Sequence, residues 1–305
     1  MSGFPTYVLI TPARNEGQFL ELTMRSVVSQ TVPPLKWLIV SDGSTDGTDD
    51  IVLRYARMHP WIELVRMPER RERHFAGKVH AFTAGYAKLG QLSYDVIGNL
   101  DGDVSFDEHY FEFILPKFAE NPRLGVAGTP FTEGSRQYDY RFTSVEHVSG
   151  QCQLFRRECF EEIGGYLPRK IGGIDLVAVL TARMRGWQTR TFFGKTYVHH
   201  RRMSTATQNV FKAAFKGGFG DYVLGSHPLW QLCRCLYQMT RPPIVLSGLL
   251  RWVGYCYAML SGASLDVPAD LVAFRRKEQM QRLRAFYRKA VKGFVFKTAT
   301  AFQRS

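Results

Sequence analysis

Hydrophobic positions in the first two thirds of the chain alternate between short β-rich runs and longer segments with helical spacing. The run Tyr7–Thr11 is apolar and ends at Pro12, and residues 16–30 then place apolar side chains at helical intervals. The alternation continues to about residue 200 and predicts βαβ units, with a mainly parallel sheet flanked by helices. The predicted strands are residues 7–11, 37–40, 61–67, 94–100, 124–129, 151–155, 189–193 and 196–199, and the predicted helices are residues 16–30, 49–59, 77–89, 107–120 and 174–185.

Polar residues follow three of these strands at the point where each strand ends. Residues 14–16 (Arg-Asn-Glu) come after the first strand, Asp42 comes after the second, and Asp101 and Asp103 come after the fourth. In open α/β sheets, ligands bind in the crevice outside the carboxyl ends of the strands. The sequence therefore predicts a ligand site that is built from these side chains.

Each of these positions also has a purely structural interpretation. The turn Asp101-Gly102-Asp103 can bind a hard divalent cation or a sugar hydroxyl, but turns are rich in aspartate in any case. Asp42 can accept a hydrogen bond from a base or a ribose, or it can cap the next helix. Lys78 opens a helix, where phosphate binds well, but no P-loop motif accompanies it, and the alternative is a surface lysine.

Two further positions offer acid–base or metal chemistry. Asp175 begins an apolar helix. It can act as a general base at the mouth of a cleft, or it can have the purely structural role of a negative charge that interacts favourably with the helix dipole. One of His199 and His200 can complete a metal site, and the alternative is an exposed basic cluster with Arg201 and Arg202. Neighbouring residues of a strand point to opposite faces, so both histidines cannot point inward.

The last third of the chain has a different pattern. Residues 244–263 form a 20-residue, mostly apolar stretch with one charge, Arg251. This length just suffices to span a bilayer, but the central arginine and three glycines weaken that prediction. Residues 268–290 mix apolar positions with seven Lys and Arg, which is typical of a helix that lies on anionic lipid. We expect one domain at 1–205 and a helical, partly apolar and basic extension at 206–305 that contacts the membrane; the alternative is packed helical hairpins.

Charge is spread unevenly over the 305 residues, which carry a formal net charge of +13. Residues 183–305 hold 21 Lys and Arg against 4 Asp and Glu, whereas residues 1–182 hold 19 against 23. Such asymmetry indicates a polyanionic partner, which is nucleic acid, a phosphate-bearing substrate or an anionic membrane. No nucleic-acid-binding motif is present and the basic residues interleave with apolar ones, so we expect a membrane surface and no nucleic acid.

Composition also indicates that the chain is folded and in which cellular compartment we expect it. An apolar fraction of 45% excludes a disordered chain. Five cysteines without paired spacing argue against a disulfide framework and for a reducing compartment. The first 20 residues lack the basic start and long apolar core of a signal peptide, and we therefore expect the protein to face the cytoplasm.

Taken in chain order, these motifs resemble glycosyltransferase family 2. They are residues 8–52 (VLITPARNEG to TDGTDDIV), 77–86 (GKVHAFTAGY), 101–103 (DGD), 172–187 (GGIDLVAVLTARMRGW) and 199–201 (HHR). The resemblance covers about residues 5–202. It implies the GT-A fold, which is a Rossmann-like, mainly parallel sheet flanked by helices, and inverting transfer from a nucleotide-sugar donor.

The resemblance also implies a role for each matching position. The loop after the first strand would line the nucleotide pocket, Asp42 would hold the base, and Lys78 would lie near the base and the diphosphate. Asp101 would contact the ribose, and Asp103 would bind a Mg²⁺ or Mn²⁺ ion that bridges the phosphates. The donor-binding positions implied in this way are Thr11, Pro12, Ala13, Arg14, Glu16, Asp42, Lys78, Asp101 and Gly102.

The remaining matches concern the base and a further metal ligand. Asp175 matches the acid that removes a proton from the acceptor hydroxyl, and His199 or His200, of which we take His199, would bind the metal beside Asp103. The usual Glu-Asp motif of the base is Ile174-Asp175 in this chain. The Gln-x-x-Arg-Trp motif of processive synthases is incomplete because Gly248 stands at the glutamine position, which favours transfer of a single sugar.

The sequence thus predicts an inverting, metal-dependent transferase. It would move one sugar from a nucleotide-sugar, with UDP the expected nucleotide, to a hydroxyl of a lipid-linked glycan precursor at the cytoplasmic face of the membrane. The expected process is cell-surface polysaccharide synthesis. Two rivals remain: a transferase for a soluble or protein acceptor, and a non-catalytic GT-A domain that scaffolds a synthase complex.

Overall fold

The computed structural model describes residues 3–68, 75–134, 136–137, 144–169, 171–201, 210–241 and 243–302. Arg202 of the basic cluster lies outside the described residues. The chain divides into two compact units, Met1–Met203 and Ser204–Ser305.

The first unit alternates strands and helices as the hydrophobic pattern predicts. Its strands are β1 (Tyr7–Ala13), β2 (Lys36–Asp42), β3 (Ile62–Met67), β4 (Val96–Leu100), β5 (Val104–Ser105), β6 (Leu124–Gly128), β7 (Phe131–Glu133), β8 (Arg136–Gln137), β9 (Cys152–Arg156), β10 (Gln188–Thr191) and β11 (Tyr197–His199). Its helices are α1 (Leu20–Val28), α2 (Thr48–Met58), α3 (Phe75–Leu89), α4 (Tyr110–Glu120), α5 (Arg157–Glu162) and α6 (Ile174–Met184).

Seven of these strands form one sheet in the order β10-β6-β9-β4-β1-β2-β3. Strands β4, β1, β2 and β3 are parallel, β10 is parallel to β6, and β9 runs antiparallel between β4 and β6. A smaller sheet has the order β5-β11-β7-β8 and carries the predicted metal-binding histidine at the end of β11. The mixed α/β architecture with a mainly parallel sheet confirms the predicted fold class.

Both faces of the large sheet are covered, which explains why its central strands read as unbroken apolar runs. Tyr7 and Leu9 of β1 pack with α1, α2 and α4 on one face, whereas Val8 and Ile10 pack with α3, α5 and α6 on the other. All four side chains are at most 1% exposed. The buried sheet therefore provides a rigid support, and the loops at its carboxyl edge can be held in fixed positions.

The second unit is helical, as expected for the extension. It contains α7 (Val210–Val223), α8 (Pro228–Met239), α9 (Leu246–Leu260) and α10 (Ala269–Phe302). Helices α7 and α9 meet backbone to backbone, because a Cβ at Gly218 would lie 1.8 Å from the Arg251 carbonyl oxygen. Within the described residues, none of the helices has the length and apolarity that crossing a membrane requires.

Candidate active site

The loops that follow β1 and β2 are held together by side-chain hydrogen bonds. Asn15, at a φ of 55°, donates its backbone N–H to Ser44 Oγ (3.2 Å) and accepts at Oδ1 from the Thr45 N–H (2.9 Å). The Gly17 N–H donates to Asp46 Oδ2 at 2.8 Å, and a Cβ at Gly17 would lie 2.6 Å from the Asp46 carbonyl oxygen. This edge of the crevice is therefore fixed before any ligand binds.

Asp42 lies at the carboxyl end of β2, where its buried carboxylate faces Arg14. The Arg14 Nη1 and Asp42 Oδ2 atoms are 3.7 Å apart. Residues 11–13 end β1, and Thr11 is fully buried, where its Oγ1 accepts a hydrogen bond from Trp37 Nε1 at 2.9 Å. The Thr11 side chain is therefore hydrogen-bonded to Trp37 inside the sheet, whereas Arg14 and Asp42 lie at the edge of the sheet.

Asp101 lies directly after β4 and is paired with the predicted phosphate-binding lysine. Lys78, in the first turn of α3, places its Nζ 2.5 Å from Asp101 Oδ1, and Asn99 Nδ2 donates to the same oxygen at 3.3 Å. Burial raises the pKa of Asp101, an effect that Lys78 opposes and the charge of Asp103 reinforces. A carboxylate and an ammonium group thus meet at the carboxyl edge of β4.

Asp103 is buried and has two cationic neighbours on one oxygen. Its Oδ2 lies 3.5 Å from His199 Nε2 and 3.1 Å from Arg201 Nε. Burial acts to raise the pKa of Asp103, but the hydrogen bond and charge of His199, followed by the charge of Arg201, hold it below the ordinary value. The carboxylate is therefore ionised at neutral pH.

The two adjacent histidines point to different partners, as the alternation along a strand requires. His199 ends β11 and faces Asp103, and its Nδ1 lies 3.2 Å from Glu133 Oε1. Burial acts to lower the pKa of His199, but Asp103 and Glu133 together raise it. His200 Nε2 instead lies 2.8 Å from Ser105 Oγ, and burial lowers its pKa. Of the two rings, that of His199 lies beside Asp103.

Glu16 joins the same cluster from the loop after β1. Its carboxylate forms an ion pair with Arg201, and its backbone N–H donates to Thr48 Oγ1 at 2.9 Å. Burial raises the pKa of Glu16 to about 7; Arg201 opposes this shift, while Asp103 adds to it. Gly102 packs against the same side chain, because a Cβ there would lie 3.3 Å from Glu16 Cγ.

The carboxylate of Asp103 offers one oxygen to the divalent cation that the sequence implies. Its Oδ1 is buried and has no hydrogen-bond partner among the residues that the structure describes. Over that same part of the chain, no three or more His, Cys, Asp and Glu side chains are arranged to hold a metal ion. Mg²⁺ commonly binds through only one or two carboxylates, and waters and substrate phosphates complete its shell. Asp103, with His199 beside it, fits that kind of site.

Asp175 lies in the first turn of α6, against Gly150. The helix follows Gly173, which has a φ of 74°, and a Cβ at Gly150 would lie 3.1 Å from Asp175 Oδ2. The Gly150 carbonyl accepts from Asn99 Nδ2 at 2.5 Å, and the next residue along accepts from the Asp101 N–H at 2.8 Å. Asp175 and Asp101 therefore both lie against the short segment that precedes β9.

Several contributors to this cluster are not among the site residues that the sequence predicts. Arg201 stands in the basic run after β11, but the sequence does not show that it bonds to Glu16 and Asp103. Glu133 lies on a three-residue strand and leaves no recognisable signal. Gly150 matters through its lack of a side chain, which only the fold reveals.

Comparison with known families and proteins gives a consistent result. The family model described as Glycosyl transferase family 2 matches residues 8–145. Poly-beta-1,6-N-acetyl-D-glucosamine synthase of Staphylococcus epidermidis is 28% identical over 170 residues, which cover 49% of this chain and 39% of that protein. The enzyme of the same name from Staphylococcus aureus strain COL is 26% identical and is covered to 31%. The chain thus spans about two fifths or less of the length of these relatives.

Two solved structures share the fold at low sequence identity. The mannosyltransferase PcManGT from Pyrobaculum calidifontis, in complex with GDP-Man and Mn²⁺, matches 95% of this chain and 84% of its own with a TM-score of 0.57 and 18% identity. Residues 1–349 of Staphylococcus aureus TarS, in complex with UDP-GlcNAc, match 88% of this chain and 78% of their own with a TM-score of 0.52 and 12% identity. Both support a GT-A fold for this chain.

Proposed function

We propose that this chain, a glycosyltransferase whose residues 8–145 match the family model described as Glycosyl transferase family 2, moves a single sugar from a nucleotide-sugar to an acceptor hydroxyl with inversion. The observation that carries the proposal is the cluster at the carboxyl edge of the sheet, where Glu16, Asp101 and Asp103 meet Lys78 and Arg201. Carboxylates can hold a divalent cation and a ribose, while the lysine and arginine can hold a diphosphate. Both halves of a nucleotide-sugar site are therefore available.

The donor would lie along the strand ends. We assign the base to Asp42 and the loop after β1, the ribose to Asp101, and the diphosphate to Lys78. UDP is the proposed nucleotide, because the curated relatives are named for an N-acetylglucosamine polymer and TarS is described with UDP-GlcNAc.

The chemistry follows from one base and one leaving group. Mg²⁺ or Mn²⁺, when bound at Asp103 and His199, offsets the charge that develops on the departing diphosphate. Asp175 takes the proton from the acceptor hydroxyl, and the hydroxyl oxygen forms a bond to the anomeric carbon. The bond from that carbon to the diphosphate oxygen breaks at the same time, so the nucleoside diphosphate leaves and the configuration inverts. Ile174 occupies the position of the glutamate in the usual Glu-Asp motif and is buried in the core, so Asp175 would act without that second acid.

Transfer of a single sugar is supported by the second unit. A Cβ at Gly248 would lie 2.3 Å from the Cys235 carbonyl oxygen, so a glutamine does not fit at that position. Arg251 does not face solvent as an acceptor-binding group, because its Nε lies 2.7 Å from Asp221 Oδ2. The incomplete Gln-x-x-Arg-Trp motif therefore has a structural role here.

We propose a lipid-linked glycan precursor as the acceptor, in cell-surface polysaccharide synthesis at the cytoplasmic face of the membrane. The names of the curated relatives support polysaccharide synthesis. The basic excess of the last third supports an anionic surface as a partner. Residues 1–205 would then form the catalytic domain, and residues 206–305 the extension that contacts the membrane.

Asp175→Asn tests the function most directly. The variant should bind the donor as the wild type does but transfer sugar at least about 100-fold more slowly, since general-base catalysis contributes about 10² to 10⁴. The matched control is Asp50→Asn, which changes an exposed aspartate of α2 and should be fully active. Transfer by Asp175→Asn at the wild-type rate would remove the assignment of the base.

The donor, metal and acceptor are tested on the full chain. A thermal-shift screen of UDP- and GDP-sugars with Mn²⁺ identifies the nucleotide. EDTA should abolish transfer and added Mn²⁺ should restore it, whereas EDTA-resistant activity contradicts the proposed role of Asp103. Transfer to lipid-linked but not to soluble acceptors supports the proposed acceptor, and nucleotide binding without hydrolysis or transfer would instead indicate a scaffold.

A further inference from the structure

Helix α9 presents a continuous apolar stripe on its exposed side. Every exposed residue of this fully described helix is uncharged, and most are aliphatic. The spacing is that of one helix face, since positions three, seven, eleven and fourteen residues apart lie on the same side. The stripe consists of Leu246, Leu249, Val253, Tyr257 and Leu260.

Helix α8 and the segment before α9 extend this surface. Leu229, Leu232 and Leu236 occupy one face of α8 and are 38–53% exposed, and none of the exposed residues of α8 is charged. Ile244 and Val245, in the connection, are 69% and 53% exposed. We call these outward side chains of α8, the connection and α9 the apolar face.

The interior of the same unit holds charged and polar side chains beside its apolar ones. The charges of α8 and α9, Arg234 and Arg251, turn inward to Asp221, which is 6% exposed. The nitrogen–oxygen distances are 2.9 Å and 2.7 Å, and Gln231 Nε2 donates to the same carboxylate at 2.9 Å. The three charges pair with one another, so both arginines are engaged in ion pairs, and 38% of the Arg234 side chain remains exposed.

The large side chains point outward because the helices approach too closely to hold them inside. A Cβ at Gly254 would lie 2.1 Å from the Phe215 carbonyl oxygen, and one at Gly248 would lie 2.3 Å from that of Cys235. Close contacts through small residues and hydrogen bonds between polar groups are typical of helices that pack in lipid, where no hydrophobic effect drives apolar side chains together. Water does not favour such an arrangement, since large exposed apolar patches mark sites of interaction.

We propose that the apolar face is a membrane-docking surface that lies in the plane of one leaflet, at the boundary between headgroups and acyl chains. The 12 and 15 residues of α8 and α9 measure about 18 Å and about 22 Å, which is shorter than the roughly 30 Å hydrocarbon core. An in-plane position covers the leucines and needs no span. The proposal rests on the membrane association in the proposed function and is independent of the sugar chemistry.

Charge favours an anionic lipid surface as the occupant of this face. Residues 204–305 carry 15 Lys and Arg against 4 Asp and Glu. Lys212 and Lys216 on α7, and Lys277, Arg284 and Arg288 on α10, are exposed. Lysines and arginines beside an apolar helix surface attract anionic headgroups, which a second copy of this equally basic chain would not provide.

Vesicle flotation of the full chain tests the proposal. The double variant Leu249→Glu/Val253→Glu places two carboxylates on the apolar face, and the matched control Leu35→Glu changes an equally exposed leucine (44%) of the first unit. Wild type and control should float with vesicles of 30% phosphatidylglycerol in phosphatidylcholine. The double variant should lose on the order of tenfold or more in partitioning, because binding scales with buried apolar area.

A fluorophore reports whether the face is inserted. Cys233 is an exposed thiol on α8, and a Cys256→Ser background leaves it as the accessible label site among the described cysteines. An NBD group there should shift to the blue when vesicles are added, both at 0.1 M and at 0.5 M NaCl. Binding that salt abolishes, without a blue shift, would overturn the apolar docking in favour of charge alone.

Other outcomes distinguish a lipid surface from a second copy of the chain as the occupant of the apolar face, and the docking surface from the proposed function. Equal flotation of the double variant and the wild type overturns the inference. A second outcome also overturns it: neither protein floats, and light scattering shows a dimer for the wild type but a monomer for the double variant. Donor hydrolysis is measured on the same samples without vesicles. Absent hydrolysis with intact flotation of the wild type contradicts the proposed sugar chemistry alone, whereas absent flotation with intact hydrolysis contradicts the docking surface and the membrane association on which it rests.

Discussion

Replacing Glu16 with glutamine should change how the stability of the metal-free protein depends on pH. Glu16 is enclosed by the loop after β1 and forms an ion pair with Arg201. Burial, with help from Asp103 and Asp101, raises its pKa from 4.5 to about 7 in spite of that arginine. Glutamine keeps the shape of the side chain but cannot titrate, so the comparison isolates this one group.

The sign of the effect follows from proton linkage. The folded protein holds this proton more tightly than the unfolded chain, so the Glu16 contribution to the free energy of unfolding falls as pH rises from 4.5 to about 7 and then levels off. A shift from 4.5 to about 7 corresponds to at most about 3 kcal/mol, at about 1.4 kcal/mol per pH unit. Because the side chain is 16% exposed and partly hydrated, we expect about 1–2 kcal/mol.

Urea unfolding followed by circular dichroism, in EDTA and at intervals from pH 3.5 to 8.5, measures this difference. The wild type should lose stability relative to Glu16→Gln between pH 4.5 and 7. Glu21→Gln is the control of opposite sign. Burial acts to raise the pKa of Glu21, but hydrogen bonds from Tyr55 and Arg25 hold it below the ordinary value. The Glu21 carboxylate therefore stabilises the protein only when it is ionised, and its stabilising effect is complete near pH 4.5.

A difference between wild type and Glu16→Gln that stays constant from pH 4.5 to 7 would refute the reasoning. It would mean that the Glu16 carboxyl is hydrated well enough to keep its ordinary pKa in the folded protein. A difference that grows in the Glu21 direction would mean that Arg201 outweighs burial and the neighbouring aspartates and lowers the pKa of Glu16.

Three further predictions concern single positions. Gly218→Ala should lower the free energy of unfolding, measured by denaturant titration, by about 2–4 kcal/mol, because its Cβ would meet a backbone oxygen at 1.8 Å. The control Gly217→Ala should change it by less than about 1 kcal/mol, since its Cβ meets only the Arg251 guanidinium at 3.0 Å. Asp221→Asn should cost about 3–5 kcal/mol at pH 7 by the same assay, and the cost should vanish as pH falls through the lowered pKa of Asp221. Asp103→Asn should weaken Mn²⁺ binding in the presence of UDP by at least about 10- to 100-fold in electron paramagnetic resonance titrations, and unchanged binding would exclude it as a ligand.

Much of the fold was predictable because the central strands are buried on both faces. The first four predicted strands match β1 to β4 closely, since β1, β2 and β4 are buried on both faces and therefore consist mainly of apolar residues. The strands Val104–Ser105 and Phe131–Glu133 were not predicted, because they are short and form only through pairing with distant partners. Helix α1 begins at Leu20 rather than at Glu16, because side chains of the β2 loop bind the backbone of residues 15–17.

The candidate site was predictable to the extent that strand ends define it. Asp42, Asp101 and Asp103 follow apolar runs, so their placement at one edge follows from parallel pairing. The choice between His199 and His200 needed the register of β11 against β5, which no local pattern encodes. Arg201 bonds to a residue 185 positions away, and such long-range pairs have no trace in one sequence.

Gly150 links the geometry of the site to what substitution can tolerate over evolutionary time. Any side chain there would press on the Asp175 carboxylate, since its Cβ would lie 2.6 Å from Asp175 Cβ. A homologous chain that keeps the acid should therefore also keep a glycine at this position, while one that has lost the acid is free to vary it. Joint inspection of the two positions would thus sort active homologues from degenerate ones before any of them is purified.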